Sequence, residues 1–126
     1  MSKPIEIKSI IRSLSKLNMQ RTNYIFSLVH GKSLVHGLPH KVFRKCGKDN
    51  CKCKRGELHG PYYALSVNKH GKKKIVMIKK ADHRLILKEA GRYQYYQKKL
   101  AHIRKINKEI DALLEKLKFI TTKYYP

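Results

Sequence analysis

The sequence predicts an α+β fold in which a small antiparallel sheet lies, in chain order, between an N-terminal helix and a long C-terminal helix. Helical stripes of apolar residues at both ends, and an alternating apolar pattern between them, support this prediction. A chain of 126 residues is long enough for one domain and short for two. We therefore interpret residues 1–126 as a single domain, with a helical segment over 1–30, a β core over 31–80 and a long helix over 81–126.

The N-terminal segment has the pattern of an amphipathic helix. Ser2 is suited to cap it, Pro4 suits a first helical turn, and Glu6 lies at the positive end of the helix dipole. Apolar residues then recur at helical spacing, at Ile7, Ile10, Ile11, Leu14 and Leu17. The pattern weakens over residues 18–23, so the segment is either one helix or two, and Gly31 is suited to end it.

The middle of the chain is rich in turn-forming residues and predicts two or three short strands. A first strand is expected over residues 41–45. Residues 62–68 alternate between the two faces of a strand, and residues 74–78 are β-branched and apolar. The loop 68–71 ends in Gly71, which can supply the positive φ of a tight hairpin turn.

The C-terminal segment predicts a long helix with an apolar seam of heptad spacing, interrupted by Lys99. The residues of this heptad seam are Tyr96, Ile103, Ile106, Ile110, Leu113, Leu117 and Ile120. Gly91 is a position at which the helix could kink or divide. The seam either packs on the N-terminal helix of the same chain or docks a protein partner, which includes a second copy in a homodimeric coiled coil.

A cluster of three cysteines and one histidine lies within residues 46–59. Zinc favours four tetrahedral ligands, and three thiolates with one imidazole are a standard structural set. The odd number of cysteines argues against a disulfide framework and for metal or free thiols in a reducing compartment. We predict a structural Zn²⁺ that staples the β-hairpin, with the ligands Cys46, Cys51, Cys53 and His59. The lysines around the sulfurs are expected to lower the thiol pKa values.

The sequence leaves the identity of the fourth ligand undecided. The spacing of the cluster is not a standard zinc-finger spacing, and His59 is chosen because it is the nearest imidazole and precedes a rigid Gly-Pro pair. The rival donors are His36, His40 and His70.

The charge is strongly basic, with 30 Lys and Arg against 8 Asp and Glu and a formal net charge of +22. Such a chain attracts polyanions, so nucleic acid, DNA or RNA, is the expected partner. The candidate contacts are Lys41, Arg44, Lys45, Lys48, Lys52, Lys54, Arg55, Tyr62, Lys69, Lys72, Lys73 and Lys74.

Tyr62 and its neighbour Tyr63 alternate across a strand, so one is expected in the core and the other free to stack on a base. Lysine exceeds arginine, which favours contacts to the phosphate backbone over base reading.

A combination of short motifs resembles a small prokaryotic domain family of unknown function. The motifs are C-G-K-D-N-C-K-C over residues 46–53, H-G-P-Y-Y over 59–63 and G-K over 71–72. Asp49 stands where members of that family usually have proline. The resemblance covers residues 31–80, supports the metal interpretation, and implies a link to mobile elements and viruses.

The sequence therefore predicts a zinc-binding, nucleic-acid-binding protein that is not an enzyme, an accessory or regulatory factor of a mobile element or virus. The eight acids are scattered, and there is no glycine-rich phosphate loop. The alternative is a protein-interaction module, an inhibitor or assembly factor, that docks on an acidic or nucleoprotein partner through its basic face and C-terminal helix. No stretch is apolar enough for a membrane span, and a cytoplasmic location on nucleic acid is expected.

Overall fold

The computed structural model describes residues 3–48 and 50–126. Its elements are α1 (Lys3–Leu28), β1 (Leu38–Arg44), β2 (His59–Lys69), β3 (Lys72–Met77) and α2 (His83–Thr121), with short 3₁₀ helices at Lys52–Arg55 and Lys80–Asp82. This arrangement confirms the predicted α+β fold, with a three-stranded antiparallel sheet between the two helices in chain order. The N-cap predicted at Ser2 lies outside the described residues. None of the described helices has the length and apolar character of a membrane span.

The two helices differ from the sequence prediction in their continuity. α1 runs without a break through residues 18–23, so the N-terminal segment is one helix. The expectation that Gly91 could divide α2 is wrong, because that helix is continuous over 39 residues. A single glycine costs a helix only about 1 kcal/mol relative to alanine, and the other residues of the segment outweigh that cost.

The contacts group the chain into two compact units, and the first is helical. It comprises the chain up to Gly31 together with Tyr96–Pro126. In this unit the rings of Tyr24 and His102 stack with their centroids 5.2 Å apart, and Arg21 donates a hydrogen bond of 3.2 Å to the side-chain oxygen of Asn107. These contacts place side chains of α1 against α2 of the same chain.

The heptad seam lies within this helical unit. Ile106 is buried, and the other seam residues are half-buried. Lys99, which interrupts the seam, places its ammonium 5.3 Å from the centre of the Tyr24 ring. A cation over an aromatic face is attracted by the ring quadrupole, which explains how a lysine is accommodated at a seam position.

The second unit, Lys32–Tyr95, contains the sheet in the order β1-β2-β3. β1 begins at Leu38 and ends at Arg44, whereas the sequence predicted residues 41–45. Pro39 is tolerated in this strand because β1 is at the edge of the sheet. β2 and β3 are joined by His70 and Gly71, both with positive φ (54° and 79°), as a two-residue type I′ hairpin requires.

The two faces of the sheet have different surroundings. On the covered face, the Tyr63 ring meets His83 of α2 edge-on at 4.6 Å, and Leu65 is buried. The side-chain amide of Gln94 donates a hydrogen bond of 3.0 Å to the carbonyl of Gly37, which brings α2 against the start of β1. By strand register the opposite face, which we call the open face, carries Leu38, His40, Val42, Tyr62, Ala64, Ser66, Asn68, Lys73, Ile75 and Met77.

Candidate metal centre

Three cysteines and one histidine meet at one end of the sheet, where β1 leaves it and β2 enters it. Cys46 follows β1 by two residues, Cys51 and Cys53 lie at the 3₁₀ helix, and His59 is the first residue of β2. One donor atom from each of the four lies within 4.8 Å of every other. The structure therefore brings together the four residues that the sequence predicted as ligands, in an arrangement compatible with a metal site.

The contacts inside the cluster are short. The sulfurs of Cys46 and Cys53 are 3.5 Å apart, and the backbone N–H of Cys46 donates a hydrogen bond of 3.3 Å to the Cys53 sulfur. The sulfur of Cys51 lies 2.9 Å from Nε2 of His59. Cys53 is fully buried, whereas the other three residues are half-buried. The cluster thus has an inner thiol and a partly open side.

Two glycines give the backbone the turns that the cluster needs. Gly56 ends the 3₁₀ helix in a left-handed conformation (φ 102°), and its N–H donates a hydrogen bond to the carbonyl of Cys53. Gly60 has φ 134°, and a Cβ there would lie 2.9 Å from the carbonyl oxygen of Val42. Glycine is therefore required beside His59, where the register between β1 and β2 shifts.

The pKa of the Cys46 thiol is above its ordinary value. The backbone N–H of Lys48 lowers this pKa, but the hydrogen bonds with the thiols of Cys51 and Cys53, burial, and the charge of Cys51 together raise it. The expectation that nearby lysines lower the thiol pKa is therefore wrong for Cys46. The reason is that hydrogen bonds with the thiols of Cys51 and Cys53 and burial favour the protonated thiol and so raise the pKa of Cys46, with the charge of Cys51 as the smallest contribution.

The rival imidazoles have other contacts. Nε2 of His36 lies 3.2 Å from the carbonyl of Asn68, and its ring meets Tyr93 edge-on. Nδ1 of His40 lies 3.3 Å from the hydroxyl of Ser66, and His70 forms the hairpin turn. Of the histidines named as possible donors, only His59 belongs to the cluster.

A cavity of about 410 Å³ opens beside the cluster. Besides Cys46, Cys51 and His59, it is lined by Arg44, Lys45, Lys48, Tyr62 and Met77. The guanidinium of Arg44 donates a hydrogen bond of 3.2 Å to the Met77 sulfur, which holds its charge on the open-face side of β1. Three basic side chains therefore surround a space that borders the candidate metal ligands.

The other predicted basic contacts are spread over two regions. Lys41, Lys52 and Arg55 are exposed, and Lys52 lies 4.0 Å from the carboxylate of Glu57. The side chain of Lys54 lies outside the described residues. The hairpin lysines, Lys69, Lys72, Lys73 and Lys74, are all exposed.

Sequence reasoning missed part of this region. Met77 was not identified as a lining residue, and Leu38 and Ile75 were not recognised as exposed residues of one face. The alternation of Lys73, Ile75 and Met77 along β3 is the signal that could have indicated a shared face.

Comparison with known families identifies a domain that covers most of the chain. The model of a domain of unknown function, DUF6788, matches residues 6–88 of the 126-residue chain, a range that includes the whole cluster and the whole sheet. No curated protein and no solved structure matches the chain.

Proposed function

Since the chain belongs to the DUF6788 family, whose description is a domain of unknown function, we propose its function from the site itself. The protein is a zinc-stapled basic module that binds nucleic acid and catalyses no reaction. The observation that carries this proposal is the position of the Cys₃His cluster beside a cavity lined by Arg44, Lys45 and Lys48.

Zinc is the metal that suits this donor set. With Zn–S bonds of about 2.3 Å, the sulfurs of a tetrahedral site lie roughly 3.7 Å apart. The distance of 3.5 Å between the Cys46 and Cys53 sulfurs is close to this separation. When bound, the metal supplies a structural cross-link between the end of β1 and the start of β2. Four protein ligands leave no open coordination position, which favours a structural role over a catalytic one.

Nucleic acid is the partner that the charge distribution favours. A Cys₃His zinc centre carries a net charge of about −1, far smaller than the positive charge of the chain, +22. At the hairpin tip, Lys69 and Lys72 are directly opposite each other in the register. Like charges in such a pair are destabilising unless an anion lies between or near them. A polyanion would relieve this repulsion, and phosphate contacts would position the protein without reading sequence. The resemblance to a family linked to mobile elements and viruses suggests an accessory or regulatory role in such an element.

The test combines metal content with binding. Zinc per chain is measured by mass spectrometry, and affinity for duplex DNA, single-stranded DNA and structured RNA is measured as salt is raised from about 50 to 200 mM. For six to ten phosphate contacts the affinity should fall roughly 10³- to 10⁵-fold over this range. Stoichiometric zinc with this salt dependence supports the proposal, whereas zinc-loaded protein that binds none of the three at low salt overturns the nucleic-acid part.

A second candidate is a protein-interaction module, favoured by apolar side chains that the helical unit leaves in solvent. Phe26, Met19 and Phe119 are 72%, 65% and 81% exposed. Because Phe26 and Phe119 are mostly exposed, substituting both by serine removes little packing, and the helices should fold normally. This second function would be favoured if the variant no longer bound a protein partner or no longer formed a homodimer. Nucleic-acid affinity should then either be the same as in the unsubstituted protein or be absent from both.

A further inference from the structure

The open face of the sheet is apolar although it is exposed. Ile75 is 64% exposed, Leu38 57%, Tyr62 43% and Met77 38%. These four side chains come from all three strands and share one face by register. Contiguous exposed apolar surface of this kind marks a binding site more often than a free surface.

Two ring-bearing side chains, His40 and Tyr62, belong to this face by register. His40 is opposite Ala64, and Tyr62 is two residues from Ala64 on the same strand, so His40 and Tyr62 are diagonal neighbours roughly 7 Å apart. The hydrogen bond of 3.3 Å between His40 and the Ser66 hydroxyl orients the imidazole. Ala64, which is opposite His40 and two residues from Tyr62, is small and fully buried, so His40, Tyr62 and Met77 supply the contact surface around it.

Basic side chains lie at both ends of this apolar surface. At the hairpin end, Lys73 shares the face with Ile75 and Met77. At the other end, the cavity beside the metal centre is lined by Tyr62 and Met77 of the open face and by Arg44, Lys45 and Lys48. The charges thus flank the aromatic and apolar surface on both sides.

We propose that the open face binds an unpaired nucleic-acid strand, with a base stacked on Tyr62 and phosphates at Lys73 and in the cavity beside the metal centre. The inference rests on the proposed function and adds to it the class of nucleic acid and the surface used. Stacking on aromatic side chains requires base faces that a duplex keeps inside its own stack, so exposed rings between basic groups fit a single strand. A second copy of the chain would cover the apolar surface but would oppose its basic ends with like charges.

Neighbouring lysines provide the matched test. Lys73 lies on the open face and Lys74, opposite Val67, lies on the covered face, and both are exposed. Affinity of the zinc-loaded full chain for a short unstructured oligonucleotide is compared between Lys73→Ser and Lys74→Ser. The two variants remove the same charge, so a difference between them reports the position of the lysine. Because only Lys73 lies on the open face, we expect Lys73→Ser to weaken oligonucleotide binding several-fold more than Lys74→Ser.

Stacking is tested at Tyr62 with Tyr95 as the control, because Tyr95 is 47% exposed and lies on α2. Tyr62→Ala should weaken oligonucleotide binding about 5- to 150-fold, as expected for one lost stacking contact. Tyr62→Phe should retain affinity, and Tyr95→Ala should have little effect.

The outcomes separate this inference from the proposed function. Absence of binding to every nucleic acid overturns both. Preference for duplex, or equal weakening by Lys73→Ser and Lys74→Ser, overturns the open-face site while nucleic-acid binding stands. A concentration-dependent dimer that Ile75→Ser abolishes, without affinity for the oligonucleotide, would assign the face to a second copy and overturn the inference.

Discussion

The sulfur of Cys51 lies 2.9 Å from Nε2 of His59, although Cys51 precedes the 3₁₀ helix Lys52–Arg55 and His59 is the first residue of β2. This contact connects the loop that carries the thiols to the first residue of a central strand. An imidazole at the start of β2 is held by strand pairing, since His59 is opposite Arg44 in the register. The cluster therefore has one candidate ligand fixed by the sheet and three candidate ligands supplied by the preceding loop.

Replacing His59 should weaken metal binding more than replacing any other histidine. His59→Ala removes one of four ligands, so the affinity for zinc should fall by more than the roughly 10- to 100-fold typical of outer-shell changes. His70→Asn is the matched control, because asparagine tolerates the positive φ (54°) of His70 in the hairpin turn. Competition with a chromophoric chelator measures both affinities. Retention of full affinity by His59→Ala would remove His59 from the ligand set.

The metal-loaded and metal-free forms should depend on pH in opposite directions. Thiols must lose their protons to bind metal, so the loaded form should lose metal and stability as the pH falls below about 6. In the metal-free form the raised pKa of Cys46 gives stability that is fully present below the ordinary value of 9.0 and is lost as the pH rises through the raised value. Thermal unfolding from about pH 5 to 10, with and without chelator, measures how the stability of the metal-free and the metal-loaded form depends on pH. Parallel profiles would contradict a metal bound by thiolates.

Two glycine substitutions should change stability in opposite directions. Gly60→Ala combines a positive φ of 134° with a Cβ 2.9 Å from the Val42 carbonyl, and should destabilise the sheet unit by about 1–3 kcal/mol and weaken metal binding. Gly91→Ala lies in α2, where an added Cβ would have no atom within 4 Å beyond its own helical turn. It should stabilise the protein by up to about 1 kcal/mol. Denaturant unfolding measures the free energy of unfolding of both variants. An unchanged value for Gly60→Ala would show that β2 can pair with β1 without glycine at this turn.

Local features of the fold could be predicted from the sequence because short-range chemistry determines them. The four candidate ligands lie within residues 46–59, so the sequence alone indicates that a short loop can bring them together. The hairpin at His70 and Gly71 was similarly predicted, since its turn residues and flanking apolar runs are adjacent in sequence. The fold class could be predicted from the helical spacing of apolar residues at both ends of the chain and from their alternation in the middle.

Features that depend on distant residues could not be predicted. Lys99 looked like an interruption of the seam because its partner, Tyr24, lies on the other helix. That Lys73 rather than Lys74 lies on the open face depends on strand register and on which face α2 covers, and both depend on residues far away in the sequence. The cavity beside the cluster likewise depends on the approach of Arg44 to Met77 across the sheet.

The hairpin tip gives a prediction in which stability and binding change in opposite directions. Lys69 and Lys72 are directly opposite each other, so Lys72→Glu replaces a repulsive pair by an attractive one. Cross-strand pairs of opposite charge contribute roughly 0.2–1 kcal/mol, and the free energy of unfolding should rise by about this amount. If Lys72 contacts a phosphate, Lys72→Glu should lower the affinity for nucleic acid. The slope of log affinity against log salt concentration, which we call the salt slope, should then decrease in magnitude by about 1.

Lys72→Ser is the control for this substitution, because it removes the positive charge without creating an ion pair. It should share the loss of affinity and show a smaller gain in stability than Lys72→Glu. Urea unfolding and salt-titrated binding are measured on the same zinc-loaded samples. A stabilised Lys72→Glu protein with unchanged affinity and salt slope would show that Lys72 lies outside the nucleic-acid contact, and would leave the open face and the surface around the metal centre as the places where that contact can lie.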